Sequence, residues 1–293
     1  MIKGRKQTFT FRRKDTMGRD ENRQIFEDTK RLCETNRKLA EAVRLGREQQ
    51  RLIPESEVLP EIARERYPEP AQVTVSKKRT YEAASAYASE QRVAVLNFAS
   101  ASNPGGGVVN GAGAQEECLC RCSTLYFDLI AKEMWEGFYA PHRAAHDSLH
   151  NDDIIYTPGV TVFKSDTAYP KLLPEKDWYR VDVITCAAPN LRENPSNRYN
   201  PGDGAAVRIS ASELQALHEK RLRRILDVAV MQEAEAVILG AFGCGAFRND
   251  PKVVAEAAKN VIPEYLHAFR TIEFAVYCRE PDWSNYDAFR TRL

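Results

Sequence analysis

Two adjacent carboxylates, Glu116 and Glu117, close a fifteen-residue run, Asn103 to Glu117 (NPGGGVVNGAGAQEE), that opens with three consecutive glycines. Gly105, Gly106 and Gly107 can take positive φ and bring backbone N–H groups against a ligand with no Cβ in the way, which suits phosphate oxygens. Gln115-Glu116-Glu117 then opens a helical stretch, where acidic residues sit well against the positive end of the macrodipole. The chemistry on offer is an anion cradle with an acid at its rim. The alternative is a Gly-rich turn followed by ordinary first-turn glutamates. A second glycine-rich loop, AFGCGAFRND (241–250), follows another apolar segment, and two such loops suit a divided anion such as a diphosphate. Neither loop carries the GK[ST] ending of a P-loop or the spacing of the dinucleotide fingerprint, which disfavours a kinase or a Rossmann dehydrogenase.

Other reactive residues point less clearly. Cys118, Cys120 and Cys122 have C-x-C-x-C spacing, which on a helix spreads the thiols over different faces and builds no zinc site. His142, His146 and His150 recur every four residues near Asp147, Asp152 and Asp153. One helix face of that kind can hold a divalent metal, but no H-E-x-x-H pattern supports it, and loop or core histidines are the expectation. No metal and no cofactor is expected.

The elements that must position these residues alternate between strand and helix from Gln72 onward, which argues for an α/β architecture with a central sheet covered on both faces. Strands are expected at 72–75, at 92–98 as a fully buried central strand, at 153–158 and 160–164 with Pro158-Gly159 as the turn between them, at 179–186, at 236–240 and at 271–278. Helices are expected from Thr80 as N-cap to about Glu90, over 115–134, from a Ser212/Gln215 capping box onward, and from Asp250 as N-cap with Pro251 at N1 to about Phe269. Both glycine loops then fall at the C-terminal ends of strands, the edge where open α/β sheets bind ligands. The Pro/Asn/Gly-rich stretch 188–206 is long enough to be a functional surface loop. Before the sheet, apolar spacing over 20–46 predicts one amphipathic helix with Asp20 as N-cap and Gly46 as stop, and 51–70, with four prolines, reads as an irregular connection.

The chain has 293 residues and a net charge of +1, within the range of ordinary globular proteins. No apolar stretch approaches the length of a membrane span, and the charged start lacks a secretory core, so a cytoplasmic setting is expected. Seven cysteines, an odd number in mostly apolar contexts, fit buried free thiols in a reducing compartment. Lys3, Arg5, Lys6, Arg12, Arg13 and Lys14 precede the first acidic residue. Such an arm can touch a polyanion or stay a solvated tail, and nucleic-acid binding is not inferred from it.

Taken in order, Gly105-Gly106-Gly107, seven intervening residues and Gln115-Glu116-Glu117 match the GGG…QEE signature of bacterial-type poly(ADP-ribose) glycohydrolases, members of the macrodomain superfamily. The resemblance runs through VAVLNFASASNPGGG (93–107), YRVDVITCAAPN (179–190) and VILGAFGCGAFRNDP (237–251), and covers roughly 72–278. It implies a three-layer α/β/α fold around a mixed sheet, with residues 71–293 as the ADP-ribose-binding catalytic domain and residues 1–70 as a basic arm and helical accessory segment. It implies Glu117 as the catalytic acid and base, and Glu116 as the neighbour that holds hydroxyls of the ribose under attack. Substrate contacts are implied at Gly105, Gly106, Gly107, Gly113 and Gln115, at Gly243, Cys244, Gly245 and Ala246 on the diphosphate, at Phe247 against the terminal ribose, and at Asn103 and Ser100 near the distal ribose. Phe247 can equally be a core aromatic, and Asn103 and Ser100 can simply stabilise their loop. The expected activity is release of ADP-ribose from the end of poly(ADP-ribose) by a monomer that acts on ADP-ribosylated proteins, with no membrane and no sequence-specific nucleic acid as partner. A non-catalytic ADP-ribose reader and a mono-ADP-ribosyl hydrolase are the alternatives.

Overall fold

The computed structural model describes residues 18–293, so the basic arm lies outside the described residues. Helices α1 (Arg19–Thr35) and α2 (Arg37–Gln49) replace the single helix expected. Asn36 breaks the run because its side-chain oxygen accepts the N–H groups of Lys38 and Leu39 at 2.9 and 3.2 Å, which caps α2. Gly18, rather than Asp20, precedes α1, and Gly46 lies inside α2. The proline-rich connection begins with an unforeseen edge strand, β1 (Arg51–Ile53).

Strand β2 (Gln72–Ser76) leads into a short α3 (Thr80–Ala84), whose N-cap is Arg79 and whose course beyond Ala84 is only turns. After β3 (Val93–Ala99) the helix expected over 115–134 is broken into α4 (Gln115–Cys122), α5 (Leu125–Leu129) and α6 (Lys132–Met134), and a π-helical turn then joins α7 (Ala140–Ala145). The supposed hairpin at Pro158-Gly159 is one strand, β4 (Ile154–Val162), with a bulge there. Gly159 takes φ +65° and gives its N–H to Asp182 at 2.9 Å, so the extra residues are absorbed without reversing the chain. β5 (Tyr179–Ala187) follows. Helix α8 (Ala211–Met231) starts two residues earlier than expected, with Ser210 and Glu213 forming the capping box. β6 (Ala236–Leu239), α9 (Pro251–Val261, capped by Asp250), β7 (Thr271–Ala275) and an unforeseen α10 (Ser284–Arg290) complete the chain.

The seven strands form one mixed sheet in the order β1-β4-β5-β3-β6-β7-β2. The β1–β4 and β4–β5 pairs are antiparallel and the others parallel. Alternation along β3 shows why the architecture has three layers. Ala94 and Leu96 face a core with Ile225 and Leu226 of α8 and Val254 and Ala258 of α9, whereas Val93 and Val95 face one with Phe26 of α1, Tyr81 of α3, Leu119 of α4 and Leu125 of α5. The segment before residue 71 thus contributes an edge strand to the sheet and helices to one layer. Among the described residues no helix is long and apolar enough to cross a membrane.

Candidate active site

β3 runs centrally and is buried through nearly its whole length, and the first glycine loop leaves from its C-terminal end. Gly105 and Gly106 take φ +68° and +58°, the left-handed region a side chain resists. A Cβ on Gly106 would lie 2.6 Å from Glu117 Oε1 and 3.0 Å from Glu116 Oε2, so the two carboxylates converge on this glycine even though their Cα positions differ by about 100° around α4.

Gln115, the first residue of α4, fixes the helix to the strand end. Its Oε1 accepts the Phe98 N–H at 2.9 Å, and its Nε2 donates to Leu96 O at 2.8 Å and Thr80 Oγ1 at 3.0 Å. Glu116 then falls where its Oε2 accepts the Ser100 N–H at 2.8 Å and its Oε1 lies 3.4 Å from Asn97 Nδ2. Burial, and then the neighbouring Glu117 carboxylate, push the Glu116 carboxyl well above the usual range. Glu117 is also buried, but differently held: Oε1 accepts the Gly107 N–H at 2.8 Å, while Oε2 has no hydrogen-bond partner among the described residues.

These groups line a cleft of about 770 Å³ whose other wall is the loop after β6. There Gly243 takes φ +78°, and Asn249, fully enclosed, donates through Nδ2 to Pro189 O at 2.7 Å and Gly243 O at 3.1 Å. His218 of α8 holds the Asn249 Oδ1 through its Nε2 at 2.8 Å, and burial lowers this imidazole to about 4, so it is neutral near pH 7. With the carbonyls of Gly243 and Pro189 drawn inward, the N–H groups of Gly243, Gly245, Ala246 and Phe247 have no acceptor among the described residues. Unpaired donors at the end of a parallel strand are the kind of groups an anion requires.

A family model, microbial-type PARG (poly(ADP-ribose) glycohydrolase), catalytic domain, matches residues 20–165. The poly(ADP-ribose) glycohydrolase of Thermomonospora curvata is 31% identical, with 94% of this chain and all of that chain covered at a TM-score of 0.78. Its structure bound to the inhibitor ADP-HPD gives 30% and 0.77 over the same coverage. The poly(ADP-ribose) glycohydrolase of Deinococcus radiodurans in complex with ADP-ribose is 36% identical, with 86% and 96% of the two chains covered at 0.72. No curated protein matches. The chain belongs to the bacterial poly(ADP-ribose) glycohydrolase family.

In this family member the cleft gathers Ser100, Gly106, Gly107, Gly113, Gln115, Glu116, Glu117, Gly243, Gly245, Ala246 and Phe247. Gly105, Asn103 and Cys244 stand outside the lining. Gly105 is pressed under Tyr126 and Cys120, Asn103 spends its amide on Gly106 O, and Cys244 packs against the core below. Ser100 donates to Asn200 Oδ1 at 2.7 Å, and the Gln115 amide is consumed by the strand end, so each positions the loops it joins. Phe247 is half-buried, with the Arg192 guanidinium 5.4 Å from its ring centroid.

Sequence reasoning missed Arg19 and Asn22 of α1, and Arg79, Tyr277 and Arg279, where the Arg79 guanidinium lies 3.9 Å from the Tyr277 ring centroid. Arg192, Tyr199 and Asn200 were signalled only by the length and polarity of their loop. His142 is on α7, His146 takes φ +50° just after it, and His150 lies in the following loop, so the three share no helix face. Among the described residues no cluster is arranged to hold a metal.

Proposed function

We propose that this chain hydrolyses the ribose–ribose O-glycosidic bond at the end of poly(ADP-ribose) and releases ADP-ribose, with Glu117 as the group that moves the proton. The observation that carries the assignment of roles is the contrast between the two acids: Glu116 is bonded from Asn97 and Ser100, while Glu117 is fixed at one oxygen and free at the other. Burial and the adjacent Glu117 carboxylate raise the Glu116 carboxyl well above its ordinary range, which favours a proton beside Glu117. Glu117 Oε2 is the oxygen from which that proton can reach the departing 2′-oxygen while positive charge develops at the anomeric carbon. After departure the same oxygen accepts a proton from the incoming water. Glu116, pinned from behind, serves to hold ribose hydroxyls.

The N–H groups of Gly243, Gly245, Ala246 and Phe247 suit the diphosphate, whose negative charge stands near the developing cation and stabilises it. All seven cysteines are free thiols, four of them buried, which fits action in the reducing cytoplasm. In the test, poly(ADP-ribose) is incubated with the wild-type chain and with Glu117→Gln, and free ADP-ribose is quantified. Turnover by the wild type, lost by at least a thousandfold in the variant while ADP-ribose binding survives, is expected. A variant that keeps most of the activity removes Glu117 from its role, and a wild-type chain that binds without turnover is a reader.

A further inference from the structure

Beside Glu117 stands an arrangement the hydrolytic chemistry does not use. Arg19, at the start of α1, donates from Nη1 to the Tyr199 hydroxyl at 2.7 Å, and Arg198 donates to the same oxygen. Their guanidinium carbons lie 5.7 and 4.5 Å from the Tyr199 ring centroid. Neither arginine pairs with a carboxylate among the described residues, and Asp20, next to Arg19, is bonded to Arg23 at 2.6 Å. Elsewhere in the molecule arginines that converge do so on acids, as Arg64 and Arg223 do on Glu264. Two exposed cations gathered on one phenol repel each other, and an anion placed between them relieves that repulsion.

The position of this group decides which anion. A Cβ on Gly107 would lie 3.1 Å from the Tyr199 ring, and the Gly107 N–H is the one that holds Glu117. Arg19 and Tyr199 therefore stand at the acid end of the cleft, where the leaving 2′-oxygen departs. On the reading that the chain cleaves poly(ADP-ribose), that oxygen belongs to the adenosine of the next unit, which carries an adenine face and another diphosphate. An aromatic ring flanked by guanidiniums matches both, since every base stacks on an aromatic side chain and guanidinium forks match phosphate oxygens.

We infer that Arg19, Arg198 and Tyr199 form a leaving-side subsite that binds the penultimate ADP-ribose unit of the polymer, with its adenine on Tyr199 and its diphosphate on the two arginines. The cleft then recognises two consecutive units, and affinity for polymer exceeds affinity for free ADP-ribose.

The test uses the full chain carrying Glu117→Gln, so that substrate survives, and titrates it with ADP-ribose and with a purified short poly(ADP-ribose) fraction. Arg19→Gln with Arg198→Gln is expected to weaken polymer binding at least tenfold and flatten its salt dependence, with ADP-ribose affinity changed less than twofold. Tyr199→Leu should weaken polymer binding with the salt slope retained, and thermal melts confirm that each variant is folded. Equal losses for polymer and ADP-ribose overturn the inference, because the residues then belong to the terminal-unit site. Unchanged polymer affinity overturns it as well. Turnover by the chain with Glu117 intact is measured in parallel, so failure of the hydrolase reading shows there and failure of the subsite shows only in the binding ratio.

Discussion

The backbone N–H of Gly107 donates to Glu117 Oε1 at 2.8 Å, so the glycine loop and the helix that carries the acid are held in a single geometry. One turn of loop thereby orients the acid and presents the cradle. The bond also divides the two oxygens of Glu117, turning one toward the loop and leaving the other without a partner among the described residues. An acid held at one oxygen loses less entropy on reaching the transition state than one free to rotate.

Gly106 is the position at which this arrangement tolerates nothing larger. Gly106→Ala would place a Cβ 2.6 Å from Glu117 Oε1 and 3.0 Å from Glu116 Oε2, and would hold alanine at φ +58°, a strain of about 1–2 kcal/mol. Both carboxylates must shift to make room. A displacement of about 1 Å at the reacting groups costs about a hundredfold in rate. The expected outcome is a kcat lower by that factor or more. The loop after β6 is untouched, so ADP-ribose affinity measured by calorimetry should fall by less than about tenfold. A variant with near-native kcat would show that the acids need not converge there.

What could be read in the sequence and what could not separate along physical lines. The β3 and β6 runs, the loops after them and the α9 cap are local: apolar continuity, glycine and an Asp-Pro pair specify them within a few residues. The break at Asn36 and the bulge at Gly159 depend on one side chain meeting a particular backbone group, and apolar periodicity does not record that. Tyr199 and Arg19 are 180 positions apart, so their meeting at the acid end is a product of the fold alone. Asn103 and Gln115 were legible as polar residues next to the chemistry, but whether such a residue faces ligand or loop is decided by which backbone groups lie within 3 Å of it.

Gln115 illustrates the second case and carries a prediction of its own. Its amide is the tie between the start of α4 and the end of β3, accepting from Phe98 N and donating to Leu96 O. Gln115→Ala leaves both backbone groups without their partner, and a buried group so orphaned costs about 1–3 kcal/mol. Gln115→Glu can still accept from Phe98 N but cannot donate to Leu96 O. Both variants should melt earlier than wild type and lose kcat through misplacement of Glu116 and Glu117, with alanine the worse. If kcat holds in Gln115→Ala while only the melting temperature falls, the tie is a stability element and does not position the acids.

Asp128 of α5 gives a test of stability remote from the cleft. It is buried against Gly46 of α2, where a Cβ would approach its Oδ1 to 2.7 Å, and neither carboxyl oxygen has a hydrogen-bond partner among the described residues. Burial raises the carboxyl well above its ordinary value of 3.8, and nearby Arg47 offsets this only in part. Below pH 3.8 the group is protonated in both folded and unfolded chains, and it sets no pH dependence there. As pH rises above that value the unfolded chain ionises first, so stability present in acid is lost until the folded pKa is passed. Asp128→Asn removes the ionisation and with it this loss. Its melting temperature relative to wild type should therefore be pH-independent near pH 3 and rise progressively toward neutrality. Differential scanning calorimetry from pH 3 to pH 8 measures this, and a difference that is flat across the range would mean that the carboxyl ionises in the folded chain as readily as in the unfolded one.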